Sequence, residues 1–224
     1  MVGPQWSDDP DTPALQSNLH KVARDVVLNA FAGETITAEH IKAWHAGMYE
    51  GIPVPCDAYL GHFRGDSGHS ELLDAENQVN RVRGVRSYLV YGEVEELLKR
   101  MHDDIALLAA DDAASVERDM EVIRIAAYAH GEWIRIHPFV NGNGRTARLL
   151  VLWVLARFGV PPLLPIRPRP ARPYEATSNA SMAGEHEPFE LHLRDLYAAQ
   201  SRQADFADDE DDAGSGSDEE DSAD

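Results

Sequence analysis

Apolar residues recur every three or four positions along most of this chain, and this spacing predicts amphipathic α-helices. The first run covers 15–30 and ends at Gly33, where a glycine is suited to stop a helix. The second begins after Thr37, a residue type that caps helix N-termini. A third run covers 93–110, and a fourth follows Ser115, a second candidate cap. The pattern therefore predicts a largely helical protein.

Two stretches depart from this simple pattern. Residues 149–156 are apolar on every side, which predicts a buried central helix that ends near Gly159. Residues 57–87 lack helical periodicity, and between 79 and 85 valine alternates with arginine. This alternation predicts a short β-hairpin with Gly84 at its tip. The predicted fold class is all-α, with one small β-hairpin.

Composition divides the chain into three parts. Residues 1–12 are rich in aspartate and proline and are expected to form a flexible N-terminus. Residues 13–200 hold the apolar positions of one domain, whose last helices are predicted at 171–182 and 189–197. Residues 201–224 contain eleven acidic residues and one arginine, a net charge of −10 out of −19 for the whole chain. They have little to bury, so we expect a disordered acidic tail.

The same composition excludes several classes of protein. The acidic charge and the lack of a basic stripe argue against binding to nucleic acid or to an anionic membrane. The longest apolar run is much shorter than the roughly 20 residues of a membrane-spanning helix. The first residues are polar and show no signal peptide, and the single cysteine, Cys56, suits a reducing compartment. We therefore expect a soluble, cytoplasmic protein.

The candidate chemistry lies between 137 and 148, where the sequence reads HPFVNGNGRTAR. This segment leads into the apolar helix, and a helix N-terminus offers unpaired N–H groups and partial positive charge to an anion. Gly142 and Gly144 let a phosphate approach the backbone closely. Arg145 and Arg148 are three positions apart on the helix, so they are expected to face the same ligand.

Three further side chains suggest what happens to the phosphate. Asn143 offers an amide donor in the turn, and Asn141 offers a carbonyl oxygen to a metal ion. His137 precedes the turn, and its ordinary pKa of about 6.5 makes it a candidate general base. A phosphate held beside a base indicates nucleotidyl or phosphoryl transfer. His130, two helical turns earlier, is interpreted as a packed helix histidine and not as a metal ligand.

The segment 137–148 resembles the signature of the Fic family, H-x-F-x-[D/E]-G-N-G-R-x-x-R, at every position except 141. The resemblance implies an all-helical Fic-type bundle with a β-hairpin flap over the active site. It also implies a protein adenylyltransferase, which uses Mg²⁺ or Mn²⁺ and moves AMP from ATP to a Ser, Thr or Tyr hydroxyl of a target protein. The implied roles are general base for His137, anion hole for Gly142, Asn143 and Gly144, loop and phosphate support for Arg145, and γ-phosphate contact for Arg148.

Asn141 departs from the signature, in which Asp or Glu normally holds Mg²⁺. An amide oxygen coordinates a cation but brings no charge, so Asn141 is predicted to be a weaker metal ligand. Residues 61–64, GHFR, are similar to the G-x-[FY]-R stretch that precedes the flap in the family. The inhibitory helix of many members, [S/T]-x-x-x-E-[G/N], has no complete copy, and residues 181–185 are the nearest match. A separate antitoxin-like protein is therefore the expected source of any inhibition.

Other functions compete with AMP transfer. Phosphotransfer occurs in Doc-type relatives, but their motif has Ala and Lys where this chain has Gly142 and Gly144. Transfer of a different nucleotide stays open, and a nucleotide-binding module without turnover is favoured only by Asn141. A P-loop kinase is excluded because the chain has no GxxxxGK[ST] motif.

Overall fold

The computed structural model describes residues 5–6, 12–79, 81–110, 115–170 and 172–214, with side chains described up to residue 203. In this part of the chain the α-helices are, in order, α1 (Pro13–Phe31), α2 (Ala38–Met48), α3 (Ser70–Leu73), α4 (Val90–Ala109), α5 (Val116–Ile136), α6 (Asn143–Arg157), α7 (Arg172–Met182) and α8 (Glu187–Gly214). Two antiparallel strands, β1 (Gln78–Val79) and β2 (Val82–Arg83), form a hairpin. The all-α fold class with a small hairpin is confirmed.

Helices α1, α2 and α5 each begin or end where their sequence signals predict. The hydroxyl of Thr37 accepts a hydrogen bond from the backbone N–H of His40 at 3.3 Å. The hydroxyl of Ser115 likewise accepts one from Arg118 at 3.1 Å. Beyond the end of α1, Gly33 adopts φ +75°, a left-handed conformation that favours glycine. Local capping therefore fixes the entry and exit of these helices.

Helix α6 occupies the centre of the fold. It packs against α1 and α5, and α5 packs in turn against α4, α7 and α8. Every residue from 147 to 156 is buried, which confirms the predicted central helix. Burying each large aliphatic side chain contributes about 1.5–3 kcal/mol, so the core fixes the position of this helix. Although α6 is apolar, no helix among the described residues has the length and apolar character to cross a membrane.

The tip of the hairpin differs from the prediction. Strand β1 ends at Val79 and β2 begins at Val82, so the turn lies between them and not at Gly84. Arg81 adopts the left-handed conformation there, with φ +68°, although glycine or asparagine is more usual in such turns. Gly84 instead follows β2, and its backbone N–H donates to the carbonyl oxygen of Asn77 at 3.1 Å.

The last helix is longer than its pattern predicts. Helix α8 continues to Gly214, into the segment 201–224 that was expected to be disordered. Neither glycine nor proline interrupts the chain between 189 and 213, so no strong helix breaker ends α8 earlier. The rest of the predicted tail, 215–224, and a loop expected at 111–114 lie outside the described residues.

Candidate active site

A cavity of about 490 Å³ opens at the N-terminal end of α6. Its volume lies within the range of about 300–1,000 Å³ that is typical of small-molecule sites. The residues given a role from the sequence all line it: His137, Asn141, Gly142, Asn143, Gly144, Arg145 and Arg148. Residues with no predicted role also line it, among them Trp6, Arg167, Arg169 and Tyr174.

The start of α6 is built on Gly142. Its φ is +81°, and a Cβ atom there would lie 3.0 Å from both His45 Nε2 and Tyr49 Oη, so the position requires glycine. The backbone N–H groups of Asn143 and Gly144 follow in the first helical turn. Among the described residues neither N–H has a hydrogen-bond partner. Together with the helix dipole, they offer a phosphate two donors.

The side chain of Asn143 is engaged within its own loop. Its Oδ1 accepts a hydrogen bond from the backbone N–H of Phe139 at 2.9 Å, and its Nδ2 donates to the Phe139 carbonyl at 2.8 Å. Asn77 Nδ2, at the base of the hairpin, donates to the same carbonyl at 2.6 Å. The side-chain amide of Asn143, which was expected to donate to a ligand, therefore stabilises the loop instead. Asn143 can offer a ligand its backbone N–H.

Arg145 and Arg148 are buried side chains in the cavity wall. Arg145 Nη2 donates to the hydroxyl of Tyr49, and the guanidinium lies 5.3 Å from the centre of that ring. Arg148 Nη1 donates to the hydroxyl of Tyr174 at 3.0 Å, and its Nη2 donates to the Ile166 carbonyl at 2.9 Å. No carboxylate among the described residues forms an ion pair with Arg148, so its charge remains available to an anion.

His137 ends α5 in the left-handed conformation, with φ +54°. Its ring Nδ1 lies 3.2 Å from the carbonyl oxygen of Ile134. Because a carbonyl oxygen only accepts, Nδ1 carries the proton and Nε2 carries a lone pair. Burial lowers the pKa of His137 to about 4; the hydrogen bond to Ile134 opposes this shift and the charge of Arg64 adds to it. The imidazole is therefore neutral at pH 7 and able to accept a proton.

Arg64 holds the loop and the hairpin together. This side chain is fully buried, and its guanidinium donates to four backbone carbonyls at 2.7–3.0 Å, those of Ala75, Val85, Ile136 and His137. Burial lowers the pKa of Arg64 to about 10, while Glu76 opposes the shift. One side chain thus fixes the end of α5 relative to both sides of the hairpin.

His45 supports the loop from α2. Its Nδ1 accepts a hydrogen bond from the backbone N–H of Gly61 at 3.1 Å, so its Nε2 carries the proton and donates to the Asn141 carbonyl at 3.0 Å. Its ring stacks on Phe139 with 3.7 Å between centroids. Burial lowers the pKa of His45 to about 3, so the ring is neutral. The only sequence signal was its spacing of four from Ile41, on the apolar face of α2.

Trp6 departs from the flexible N-terminus expected for 1–12. The side chain is buried, its ring centroid lies 4.7 Å from that of Tyr49, and it stacks with Tyr59 at 6.1 Å. Its carbonyl oxygen accepts a hydrogen bond from Asn141 Nδ2 at 3.2 Å. Burial of a large aromatic ring offsets the entropy of fixing this residue, and the other residues of the predicted N-terminus, 1–4 and 7–11, lie outside the described part of the chain.

The family model described as Fic/DOC family matches residues 35–155. The match covers more than half of the chain and includes the whole loop from 137 to 148. The chain belongs to the Fic/DOC family. Its Fic domain carries the signature loop on the buried α6, with the departure at Asn141 described above.

Similar curated proteins align over a small part of their own length. Protein adenylyltransferase fic-1 of Caenorhabditis briggsae is 42% identical over 71 residues, which is 31% of this chain and 14% of that protein. Protein adenylyltransferase Fic of Nematostella vectensis is 40% identical over 77 residues, 33% of this chain and 18% of that protein. The alignments therefore span less than a fifth of these relatives.

Two solved Fic structures share the fold. The Fic-1 fragment of C. elegans has a TM-score of 0.61 at 21% identity, covering 91% of this chain and 55% of that one. A Fic domain containing signaling protein from Bacteroides thetaiotaomicron has a TM-score of 0.59 at 18% identity, covering 82% and 68%. These matches confirm the Fic-type helical bundle.

In this Fic domain, α7 contributes a tyrosine that the sequence did not single out. Tyr174 is buried, and its hydroxyl contacts Arg148 Nη1 and lies 3.0 Å from His130 Nε2. His130 is itself buried and stacks on Phe189 at 3.7 Å between centroids. The interpretation of His130 as a packed helix histidine is confirmed. The Tyr174 hydroxyl connects His130 to Arg148 in the cavity wall.

Proposed function

We propose that this protein is a protein adenylyltransferase that transfers AMP from ATP to a serine, threonine or tyrosine hydroxyl of a target protein. One observation carries the proposal: a neutral, proton-accepting His137 lines the same cavity as the unpaired N–H groups at the start of α6. The names of the relatives, protein adenylyltransferase, support the same reaction. The proposal includes both ATP as the nucleotide and a protein hydroxyl as the acceptor.

In the proposed reaction, the hydroxyl oxygen of the target forms a bond to the α-phosphorus of ATP. The bond from that phosphorus to the oxygen bridging to the β-phosphate breaks, and pyrophosphate leaves. Nε2 of His137 takes the hydroxyl proton. The N–H groups of Asn143 and Gly144 bind phosphate oxygens, and Arg145 and Arg148 supply positive charge to the triphosphate. The protein acts mainly by positioning and by charge stabilisation.

The hairpin supplies the place for the target segment. Strands β1 and β2 are only two residues long, and an extended peptide can extend such a sheet through backbone hydrogen bonds. Gly84 brings the end of this hairpin against the base, because a Cβ atom there would lie 2.9 Å from His137 Cβ. The proposed target hydroxyl would therefore be presented next to the imidazole.

Gly84→Ala is expected to lower the AMP transfer rate about 10- to 100-fold, because the added methyl group forces the flap away from His137. ATP affinity should change little, since Gly84 does not line the cavity. The measurements are transfer kinetics and direct ATP binding. Gly92→Ala is the matched control, because a Cβ on that helical residue meets nothing within 4 Å. Equal transfer by both variants would refute the role of this close approach.

The cavity offers a divalent cation little charge. None of the described residues lining it is Asp or Glu. The Oδ1 of Asn141 already accepts a hydrogen bond from the Gly142 N–H at 2.6 Å, and its Nδ2 donates to Trp6. Proteins usually bind Mg²⁺ through carboxylates together with substrate phosphates. The donor set therefore fits a protein-held Mg²⁺ or Mn²⁺ poorly, and Asn141 contributes at most one neutral oxygen.

Asn141→Asp is expected to lower the Mg²⁺ concentration that gives half-maximal transfer, since a carboxylate supplies the charge that the amide lacks. The measurement is the transfer rate against Mg²⁺ concentration at fixed ATP. Asn179→Asp adds the same charge elsewhere in the cavity wall and is the control for a general electrostatic effect. The role of position 141 in metal binding would be contradicted by an unchanged Mg²⁺ requirement in Asn141→Asp. It would also be contradicted if the Mg²⁺ concentration for half-maximal transfer fell equally in both variants.

The proposed reaction is tested with ATP labelled at either the α- or the γ-phosphate, incubated with the protein, Mg²⁺ or Mn²⁺, and a cell lysate. Protein label from the α-phosphate alone supports AMP transfer. Label from the γ-phosphate alone would replace it with phosphotransfer. ATP binding without any label would instead favour a binding module.

Inhibition by a separate antitoxin-like protein is part of the same proposal. Arg148 contacts a hydroxyl and a carbonyl, and no described carboxylate pairs with it. Glu185, in the nearest match to the inhibitory motif, is exposed. Copurification of an endogenous protein that suppresses transfer would support the proposal. Full activity of the native complex would argue against it.

A further inference from the structure

Two histidines and an aspartate converge outside the catalytic cavity. His62, Asp66 and His69 lie on the connection between the 3₁₀ turn at 57–59 and α3. One potential ligand atom from each side chain lies within 4.8 Å of the others. None of the three side chains lines the catalytic cavity. The signature loop and the proposed reaction therefore leave this cluster without a role.

The separations match those in a metal site. His62 Nδ1 lies 3.1 Å from Asp66 Oδ2, and the rings of His62 and His69 lie 4.1 Å apart between centroids. In a tetrahedral zinc site with bonds of about 2.0–2.1 Å, neighbouring ligand atoms are about 3.3 Å apart. Small side-chain rotations therefore suffice to bring all three ligand atoms to one ion.

The backbone that carries these ligands is already fixed. The N–H of Asp66 donates to the Phe63 carbonyl and the N–H of His69 donates to the Asp66 carbonyl, both at 3.2 Å. The N–H of Gly65, which directly precedes Asp66, donates to the Leu72 carbonyl at 2.7 Å. Phe63 is fully buried, so the segment is anchored in the core. Binding an ion would therefore require little ordering of the chain.

The aspartate also has the supporting contacts expected of a ligand. Its Oδ1 accepts a hydrogen bond from the Gly68 N–H at 2.9 Å, and its Oδ2 accepts one from the Tyr91 hydroxyl at 3.2 Å. Such partners orient a ligating carboxylate. The side chains of His62 and Asp66 retain 39% and 19% of their exposure, so an ion can enter from solvent.

We propose that His62, Asp66 and His69 form a binding site for a transition-metal dication, with zinc the best fit to the donor set. Two imidazoles and one carboxylate are typical zinc ligands, and a water molecule or an external ligand would take the fourth position. Mg²⁺ is a poor candidate because it prefers oxygen ligands. The site lies beside Arg64, so a bound ion would brace the segment that holds the catalytic loop.

The test is a calorimetric titration of the full chain, free of any affinity tag and of nucleotide, with Zn²⁺, repeated with Co²⁺ to read visible absorption. We expect one ion per chain and the absorption of tetrahedral Co²⁺. His62→Ala and His69→Ala should each weaken binding at least tenfold, because each removes one of three protein ligands. Asp66→Asn should weaken it through loss of the charge.

Two controls keep the test specific. His20→Ala removes an exposed histidine on α1, and His137→Ala changes the catalytic cavity; both variants should keep the ion. Zn²⁺ should also raise the thermal midpoint of the unaltered chain and of His20→Ala, but not that of His69→Ala. Absence of binding, or equal affinity in His69→Ala and His20→Ala, would overturn the proposal. Neither result decides whether the protein transfers AMP, because the residues proposed for that reaction are different ones.

Discussion

Replacing His137 with alanine is expected to reduce AMP transfer by about 10²- to 10⁴-fold, the usual contribution of a general base. In the proposed reaction this side chain takes the proton, because Nδ1 is directed to the Ile134 carbonyl and Nε2 carries the lone pair. ATP affinity should be retained, because the phosphate donors come from the start of α6. The measurements are labelled AMP transfer and direct ATP binding, with His20→Ala as the control on an exposed histidine.

The pH dependence gives this prediction a second test. The pKa of His137 is lowered to about 4, so the base form persists at pH 7 and is lost only as the pH falls toward that value. The rate constant kcat/KM should therefore stay level from about pH 8 to pH 5 and decline below it. A decline centred near pH 6.5 would mean that the imidazole is not in the buried, neutral state seen here.

Replacing Arg64 with methionine is expected to lower the free energy of unfolding by about 3–5 kcal/mol, because four backbone carbonyls lose the fully buried guanidinium that donates to them. Methionine fills a similar volume but donates no hydrogen bond. Urea denaturation measures the loss. Since the end of α5 and the hairpin are both held by this side chain, the transfer rate should fall as well.

Two variants keep this prediction decisive. Arg100→Met removes an arginine whose side chain is 55% exposed, and it should change the stability by less than about 1 kcal/mol. Arg64→Lys keeps the charge but cannot reach four carbonyls, so an intermediate loss is expected. If Arg64→Met unfolds at the same urea concentration as Arg100→Met, the buried guanidinium does not hold the loop.

The helices and their ends were predictable because their signals are local. Thr37 and Ser115 bond to N–H groups three positions away, and the apolar sides of 149–156 place that helix in the core. The turn that begins at Gly142 was predictable for the same reason. Its glycines and arginines lie within seven consecutive residues, 142–148.

The supports of the site were not readable, because they come from distant parts of the chain. Arg64 reaches His137 across 73 positions, and His45 reaches Asn141 across 96. The motif at 61–64 includes Arg64, but neither this motif nor the helical periodicity predicts which backbone groups the side chain contacts. The prediction for Gly84 failed for a related reason. The sequence pattern placed this glycine at the tip of the hairpin, whereas the structure requires its small size where the hairpin approaches His137.

The hydrogen bond between Asn141 and the main chain at Trp6 depends on which residue occupies position 141. The acceptor is a main-chain carbonyl, so the bond requires a donor on the side chain at 141. An ionised carboxylate has no proton to give. A chain with aspartate or glutamate at 141 would therefore lack this hydrogen bond to the main chain at Trp6.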